Sequence, residues 1–270
     1  MTYQATRYET DGRVAIVSFD RPRQMNAFNA VLREEVPLAI ARADADPNIR
    51  VVIVAGAGGK AFSAGYDLKE LPDSQPPLGE LRDRMASDCE FTYAVWRCTK
   101  PVIAMIDGFC LGGALEFAQM CDVRYCSDDA QFAVIETRFS FGIATLIMPW
   151  ILGARCRELV YTGDTIGAEE ALRLGLVNRV FPKAALRAET LKIAKRMSQV
   201  ALSCLQWNKR AINQTYESMG MSSAIRYGVE ACAILDATET PEYRQFEDFR
   251  RTKGLGAALE WRNSLFAPYE

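Results

Sequence analysis

There is no histidine anywhere in the 270-residue chain. That absence excludes Ser-His-Asp and Cys-His nucleophile chemistry, His-ligated zinc and imidazole acid–base catalysis, which leaves carboxylates, backbone groups, Cys, Ser, Tyr or Lys to do any chemistry. Paired cysteines are also lacking. The eight cysteines (Cys89, Cys98, Cys110, Cys121, Cys126, Cys156, Cys204 and Cys232) form no CxxC motif, and several sit in apolar runs where a reduced thiol behaves as a small hydrophobe. The cytoplasm is the compartment such usage suggests. Basic charge is not in surplus: 32 Lys and Arg stand against 34 Asp and Glu, so no nucleic-acid partner is expected. The longest apolar run, residues 143–154, is about a dozen residues interrupted by Pro149 and Gly153, where a membrane span needs about 20. No membrane partner is expected, and residues 1–9 contain no apolar stretch of the kind that signals export.

What is present is an ordinary globular composition, 49% hydrophobic and 24% charged, enough for one large domain or one domain with an appendage. The turn pair Asp11-Gly12 opens an apolar strand over residues 13–19. Asn29 is a fair helix N-cap, and Val31, Leu32, Val36, Ile40 and Ala43 follow at helical spacing, with Pro37 expected to kink the element. The β-branched run 51–54 reads as a strand buried on both faces. A helix from near Asp88 to Cys98 and a strand over 101–106 repeat the pattern, so residues 1 to about 180 are expected to form repeating ββα or βαβ units without a fixed sequence period. After about Ala184 the spacing becomes wholly helical. Between these elements, residues 71–79 hold Pro72, Pro76 and Pro77 and cannot be regular structure, which makes them a loop or lid candidate.

Two stretches carry chemistry. Residues 107–122 place Gly112 and Gly113 between a buried strand and an amphipathic run, where the unpaired N–H groups of a helix start favour negative charge. Glu116 lies three residues past Gly113 and faces the same space, either as a reacting carboxylate or as a first-turn partner of the helix dipole. Residues 60–70 again put small residues between a strand and a short polar helix, offering a second exposed N–H. Upstream, residues 56–61 superficially match a dinucleotide fingerprint, but Gly65 and Pro72 leave no room for the long helix it requires. A Walker-type phosphate loop fails because Lys60 is followed by Ala61.

Taken in order, Phe62-Ser63-Ala64-Gly65-Tyr66-Asp67-Leu68-Lys69-Glu70, Lys100-Pro101-Val102-Ile103-Ala104, residues 108–122, Ala130-Gln131-Phe132 followed by Glu136, Tyr161-Thr162-Gly163-Asp164 and Gly175-Leu176-Val177-Asn178 resemble the crotonase (enoyl-CoA hydratase/isomerase) superfamily across most of residues 10–185. The resemblance implies an α/β fold, a crotonase-type spiral of repeated ββα units over residues 1–195 with a C-terminal helical oligomerisation region over 196–270. It also implies an acyl-CoA substrate, coenzyme A entering only as part of that substrate, no metal or other cofactor, and assembly into homotrimers, often paired as hexamers. By the same resemblance the backbone N–H groups of Tyr66 and Gly113 form an oxyanion hole for the thioester carbonyl. Glu116 activates water and Glu136 transfers the proton at Cα, the two sharing the water. Arg23, Ala27, Ala64, Tyr66 and Lys69 line the CoA path.

The implied reaction is hydration of a 2-enoyl-CoA to a 3-hydroxyacyl-CoA. Isomerisation, hydrolysis, decarboxylation or lyase chemistry on the same scaffold stands as the nearest alternative, and a non-catalytic CoA-binding protein as the alternative of a different class. Between Glu136 and Gly163 the chain departs from the family's usual glycine- and proline-rich run, which implies a reshaped acyl pocket. Phe139, Phe141, Ile143 and Trp150 are its candidate lining. The tail around 239–256 is longer than the resemblance leads one to expect.

Overall fold

The computed structural model describes residues 2–72, 74–143 and 147–270. Asp73 of the proline-rich loop and residues 144–146 of the apolar run lie outside the described residues. The chain opens with a hairpin, β1 (Thr6–Asp11) and β2 (Val14–Phe19), closed by Gly12, whose positive φ the tight turn requires. Three units of strand, strand and helix follow in sequence. Helix α1 (Ala30–Ala45) leads into β3 (Val51–Gly56), β4 (Ala61–Ser63) and α2 (Leu78–Arg97). Next come β5 (Val102–Ile106), β6 (Phe109–Leu111) and α3 (Gly113–Met120), and then β7 (Val123–Ser127) and β8 (Gln131–Ala133), followed by short helices α4 (Met148–Leu152) and α5 (Cys156–Thr162). The two-residue strand β9 (Ile166–Gly167), α6 (Ala168–Leu174) and β10 (Arg179–Phe181) complete the sheets.

Each unit gives one strand to each of two sheets. The larger has the order β1-β2-β3-β5-β7-β10 and is parallel apart from the opening hairpin; the smaller has the order β4-β6-β8-β9. This is the repeated ββα spiral expected from the sequence. Strand alternation divides the larger sheet between two cores. Ala15, Val17, Val52, Val54, Val102 and Ala104 face the main core with α1, α2 and α3, while Val14, Ile16, Val51, Ile53, Ile103 and Met105 meet Leu186, Ile193 and Ala194 of α7 (Leu186–Met197). Burial on both faces explains the unbroken β-branched runs.

Asn29 caps α1 as expected, its side chain accepting from Leu32 N–H at 3.0 Å. Helix α2 begins at Leu78, well before the expected start near Asp88, because its first turns are too polar to show an apolar stripe. The four remaining helices are α8 (Leu202–Ser218), α9 (Met221–Ala237), α10 (Pro241–Lys253) and α11 (Leu255–Phe266). Lys209 ties α8 to the main sheet: its buried ammonium donates to the Val95 and Lys100 carbonyls at 3.1 Å each and to Asp122 at 2.7 Å. Helix α9 packs along α2 and sends Met221, Ile225 and Val229 into the main core, while Phe246 of α10 and Ala258 of α11 close over Phe139. Among the described residues, no helix is long and apolar enough to cross a membrane.

Candidate active site

The smaller sheet and the glycine turn between β6 and α3 build the floor of the site. Gly112 takes a φ of +56°, and a Cβ there would stand 2.7 Å from Glu136 Oε1, so only glycine lets the Glu136 carboxylate approach this backbone. The turn leaves Gly113 as the first residue of α3, where an N–H has no partner within the helix. Gly65 backs directly onto this turn, since a Cβ on it would lie 3.2 Å from Gly113 N. The following residue, Tyr66, pairs across a parallel bridge with Phe28: Phe28 N–H donates to Gly65 O at 2.8 Å and Asp67 N–H donates to Phe28 O at 3.1 Å. The Tyr66 amide is skipped by that pattern. Among the described residues, neither the Tyr66 nor the Gly113 N–H meets an acceptor.

The segment that presents Tyr66 is braced from below. Arg21 pairs with Asp67 at 2.9 Å and donates to the Ala27 carbonyl. The fully buried Asn26 amide donates to Ala57 O and Ala61 O. None of this bracing was read from the sequence, where the segment drew notice only for Arg23 and Ala27.

The two glutamates reach the same space from different elements. Glu116, 3% exposed, sits one turn into α3 and accepts from Ile147 N–H and Gln119 Nε2, each at 3.3 Å. Its carboxylate is thus not spent on its own helix N-terminus. Burial, reinforced by the charge of Glu136, pushes its pKa up to about 8. Glu136 lies in a 3-10 turn, Ile135–Phe139, that leaves β8. Its Oε2 is buried without a hydrogen-bond partner among the described residues, and burial pushes its pKa up to about 7. Arg138 does not neutralise it, being engaged by Asp164, Glu270 and the Thr162 carbonyl.

These groups line one cavity of about 150 Å³. The structure brings Ala64, Tyr66, Gly113, Glu116, Glu136, Phe139, Phe141 and Ile143 to it. It does not bring Arg23, Ala27, Lys69 or Trp150. Arg23 and Lys69 are exposed in short turns, Ala27 is buried beneath Arg21, and Trp150 packs on α4 against the main core. Larger grooves of about 570 and 760 Å³ run along α1 and α2 and between α2, α8 and α9, but neither contains Glu116 or Glu136. Sequence reasoning missed the remaining walls. Leu71, Pro72, Gln75 and Pro76 of the proline-rich loop form one side, Arg84, Met85 and Asp88 of α2 another, and Asp236 and Tyr243 arrive from the C-terminal helices. The loop had a signal in its prolines; Asp236 and Tyr243 had none.

Backbone donors without acceptors beside two buried carboxylates of raised proton affinity are the equipment for stabilising an oxyanion while moving a proton. Residues 9–238 match the family model described as enoyl-CoA hydratase/isomerase. The chain is 35% identical over 271 residues to a probable enoyl-CoA hydratase of Mycobacterium bovis, covering 98% of this chain and 99% of that one. It is 31% identical over 239 residues to the short-chain-enoyl-CoA hydratase of Clostridium acetobutylicum, covering 86% and 89%. The crystal structure of an enoyl-CoA hydratase/isomerase from Xanthobacter autotrophicus superposes with a TM-score of 0.94 at 34% identity, covering 98% of this chain and 99% of that one. The chain belongs to the enoyl-CoA hydratase/isomerase family, and its fold is that of the crotonase superfamily.

Proposed function

We propose that this chain is an enoyl-CoA hydratase, adding water syn across the 2,3 double bond of a 2-enoyl-CoA to give the 3-hydroxyacyl-CoA. The observation that carries the reading is the pair Glu116 and Glu136, both buried and both of raised pKa, facing the same cavity as the unengaged Tyr66 and Gly113 amides. The thioester oxygen accepts from both N–H groups, which stabilises the enolate that forms as water adds at Cβ. Such preorganised donors contribute on the order of several kcal/mol. Glu116, ionised, removes a proton from water as its oxygen bonds Cβ. The C2–C3 π electrons pass into the enolate, and Glu136, protonated, delivers a proton to Cα as the carbonyl re-forms. Proton exchange between the two carboxyls and solvent resets the pair. Burial supports the pair as acid and base near neutral pH but not this division of roles, which rests on the family resemblance: Glu116, at about 8, holds a proton more tightly than Glu136, at about 7, so the proton must pass to Glu136 before water is activated.

Coenzyme A enters as part of the substrate, with Arg23 and Lys69 offered to its phosphates and the backbone near Ala27, Ala64 and Tyr66 to its adenine and pantetheine. Phe139, Phe141 and Ile143 contact the acyl group. We extend the proposal to a homotrimer or hexamer, supported by exposed Trp207, Ile212, Tyr227 and Ile234 on α8 and α9, and to the cytoplasm, which keeps unpaired thiols reduced. The test follows absorbance of the conjugated thioester with straight, branched and aromatic enoyl-CoA substrates, using wild type and the Glu116→Gln, Glu136→Gln double variant. Loss of the enoyl band with wild type alone, and a 3-hydroxyacyl-CoA product by mass, is the expected result. No turnover of any substrate by folded protein that binds coenzyme A sinks the hydratase reading. Activity surviving Glu116→Gln but not Glu136→Gln replaces it with isomerisation.

A further inference from the structure

The cavity has a second polar end that the reaction does not use. Asp236, in the last turn of α9, is held by its neighbours: its Oδ1 accepts from Gly142 N–H at 3.1 Å, and its carbonyl accepts from Gln75 Nε2 at 2.7 Å. Its other carboxylate oxygen meets no donor among the described residues. Facing the same space is Arg84 of α2, whose guanidinium has no hydrogen bond or ion pair among the described residues. Tyr243 of α10 joins them, its ring set edge-on against Phe141 at 5.4 Å.

This end is displaced from the glutamates. Glu136 acts on Cys232, which packs against Gly142, and Asp236 lies four residues beyond Cys232, about 6 Å further along α9. The charge that acts on Asp236 is Arg84 rather than Glu116 or Glu136, and burial still pushes its pKa up to about 6.

From this arrangement we infer that Asp236, Arg84 and Tyr243 form a specificity-determining subsite for a hydroxyl group on the acyl chain, away from the thioester. The inference rests on the acyl-CoA reading of the same cavity. A plain hydrocarbon tail would desolvate Asp236 and Arg84 without giving either a partner, the situation in which sites built for hydrogen bonding reject the group that lacks it. A carboxylate tail would gain Arg84 but lie beside Asp236, whose carboxyl, at about 6, is largely ionised at neutral pH. An amine would gain Asp236 and meet Arg84. A hydroxyl donates to one and accepts from the other, with the Tyr243 phenol beside them.

The test compares hex-2-enoyl-CoA with its ω-hydroxy and ω-carboxy derivatives in wild type, Asp236→Asn and Arg84→Met. Asparagine keeps an oxygen for Gly142 N–H, so the helix junction retains its hydrogen bond. Wild type is expected to favour the hydroxylated substrate over the methyl-ended one by about tenfold or more in kcat/KM, and each variant to bring that ratio within about threefold of unity. Calorimetric binding of the matching saturated acyl-CoAs separates this inference from the reaction itself. A hydroxyl preference in binding that Asp236→Asn removes, without turnover of any enoyl substrate, upholds the subsite and ends the hydratase reading. Equal binding of methyl- and hydroxyl-ended ligands, binding of neither, a preference for the carboxylate, or a hydroxyl preference unchanged in Asp236→Asn overturns the subsite.

Discussion

Replacing Glu116 with glutamine should make the protein both less active and, at alkaline pH, more stable. In the fold the carboxyl is pushed from 4.5 to about 8 by burial and by Glu136. The neutral form is therefore the one the fold favours, and the unfolded chain ionises first. Stability from this group is fully present below pH 4.5 and is lost as pH rises towards about 8. At about 1.4 kcal/mol per pH unit, the loss relative to a permanently neutral side chain is about 1.4 kcal/mol at pH 5.5 and about 5 kcal/mol above pH 8. Glutamine never ionises, and Gln119, whose Oε1 is buried without a partner, can turn that oxygen towards the new amide. The stability difference between variant and wild type should thus grow by about 2–3.5 kcal/mol from pH 5.5 to 8.5, the lower figure allowing for relaxation when Glu136 shares the proton. Urea unfolding at the two pH values measures this directly. A difference that stays constant with pH, or moves the other way, refutes the assignment of Glu116 as a buried, proton-retaining carboxyl. In the same variant the hydration rate should fall by about 10²–10⁴-fold.

The pH–rate profile should be bell-shaped, with limbs near about 7 and about 8 that belong to the coupled pair. Below the bell both carboxyls are protonated and no base remains, and above it both are ionised and no acid remains. Gly112→Ala forces a side chain at positive φ against Glu136 Oε1 and should lower kcat at least tenfold, with a loss of about 1–3 kcal/mol in stability; a variant with wild-type kcat would show that Glu136 is not held by this turn. Lys209→Met removes the only side-chain cation paired with Asp122 among the described residues and should destabilise by about 3–5 kcal/mol in chemical denaturation, while the pH optimum of the surviving activity stays in place.

The parts of the molecule that could be read from sequence are those fixed by local pattern. The Asn29 cap, the runs in β2, β3 and β5, and the Gly112-Gly113 turn each depend on residues within a few positions of one another. Strand β1 escaped notice because, as an edge strand paired on one side, it alternates poorly, with Arg7, Glu9 and Thr10 largely outward. Glu116 was legible beside the Gly112-Gly113 turn, whereas Glu136 was named only through the resemblance of the ordered motifs and has no local signature of its own. Asp236 and Tyr243 were not legible, since what brings them to Phe141 and Gly142 is the packing of α9 along α2 and of α10 over the Ile135–Phe139 turn. Those contacts join residues far apart in sequence and have no local signature.

Because the cavity is walled by two distant stretches of chain, the reacting groups and the groups that meet the acyl tail can change independently. The carboxylates and open amides stand on strands and turns locked into two sheets, while Asp236 and Tyr243 ride on the C-terminal helices α9 and α10. Substitution at Asp236 and Tyr243 can therefore retune the far end of the cavity while the turns that carry Glu116 and Glu136 keep their places, so one scaffold can give rise to a lineage of enzymes that differ in diet.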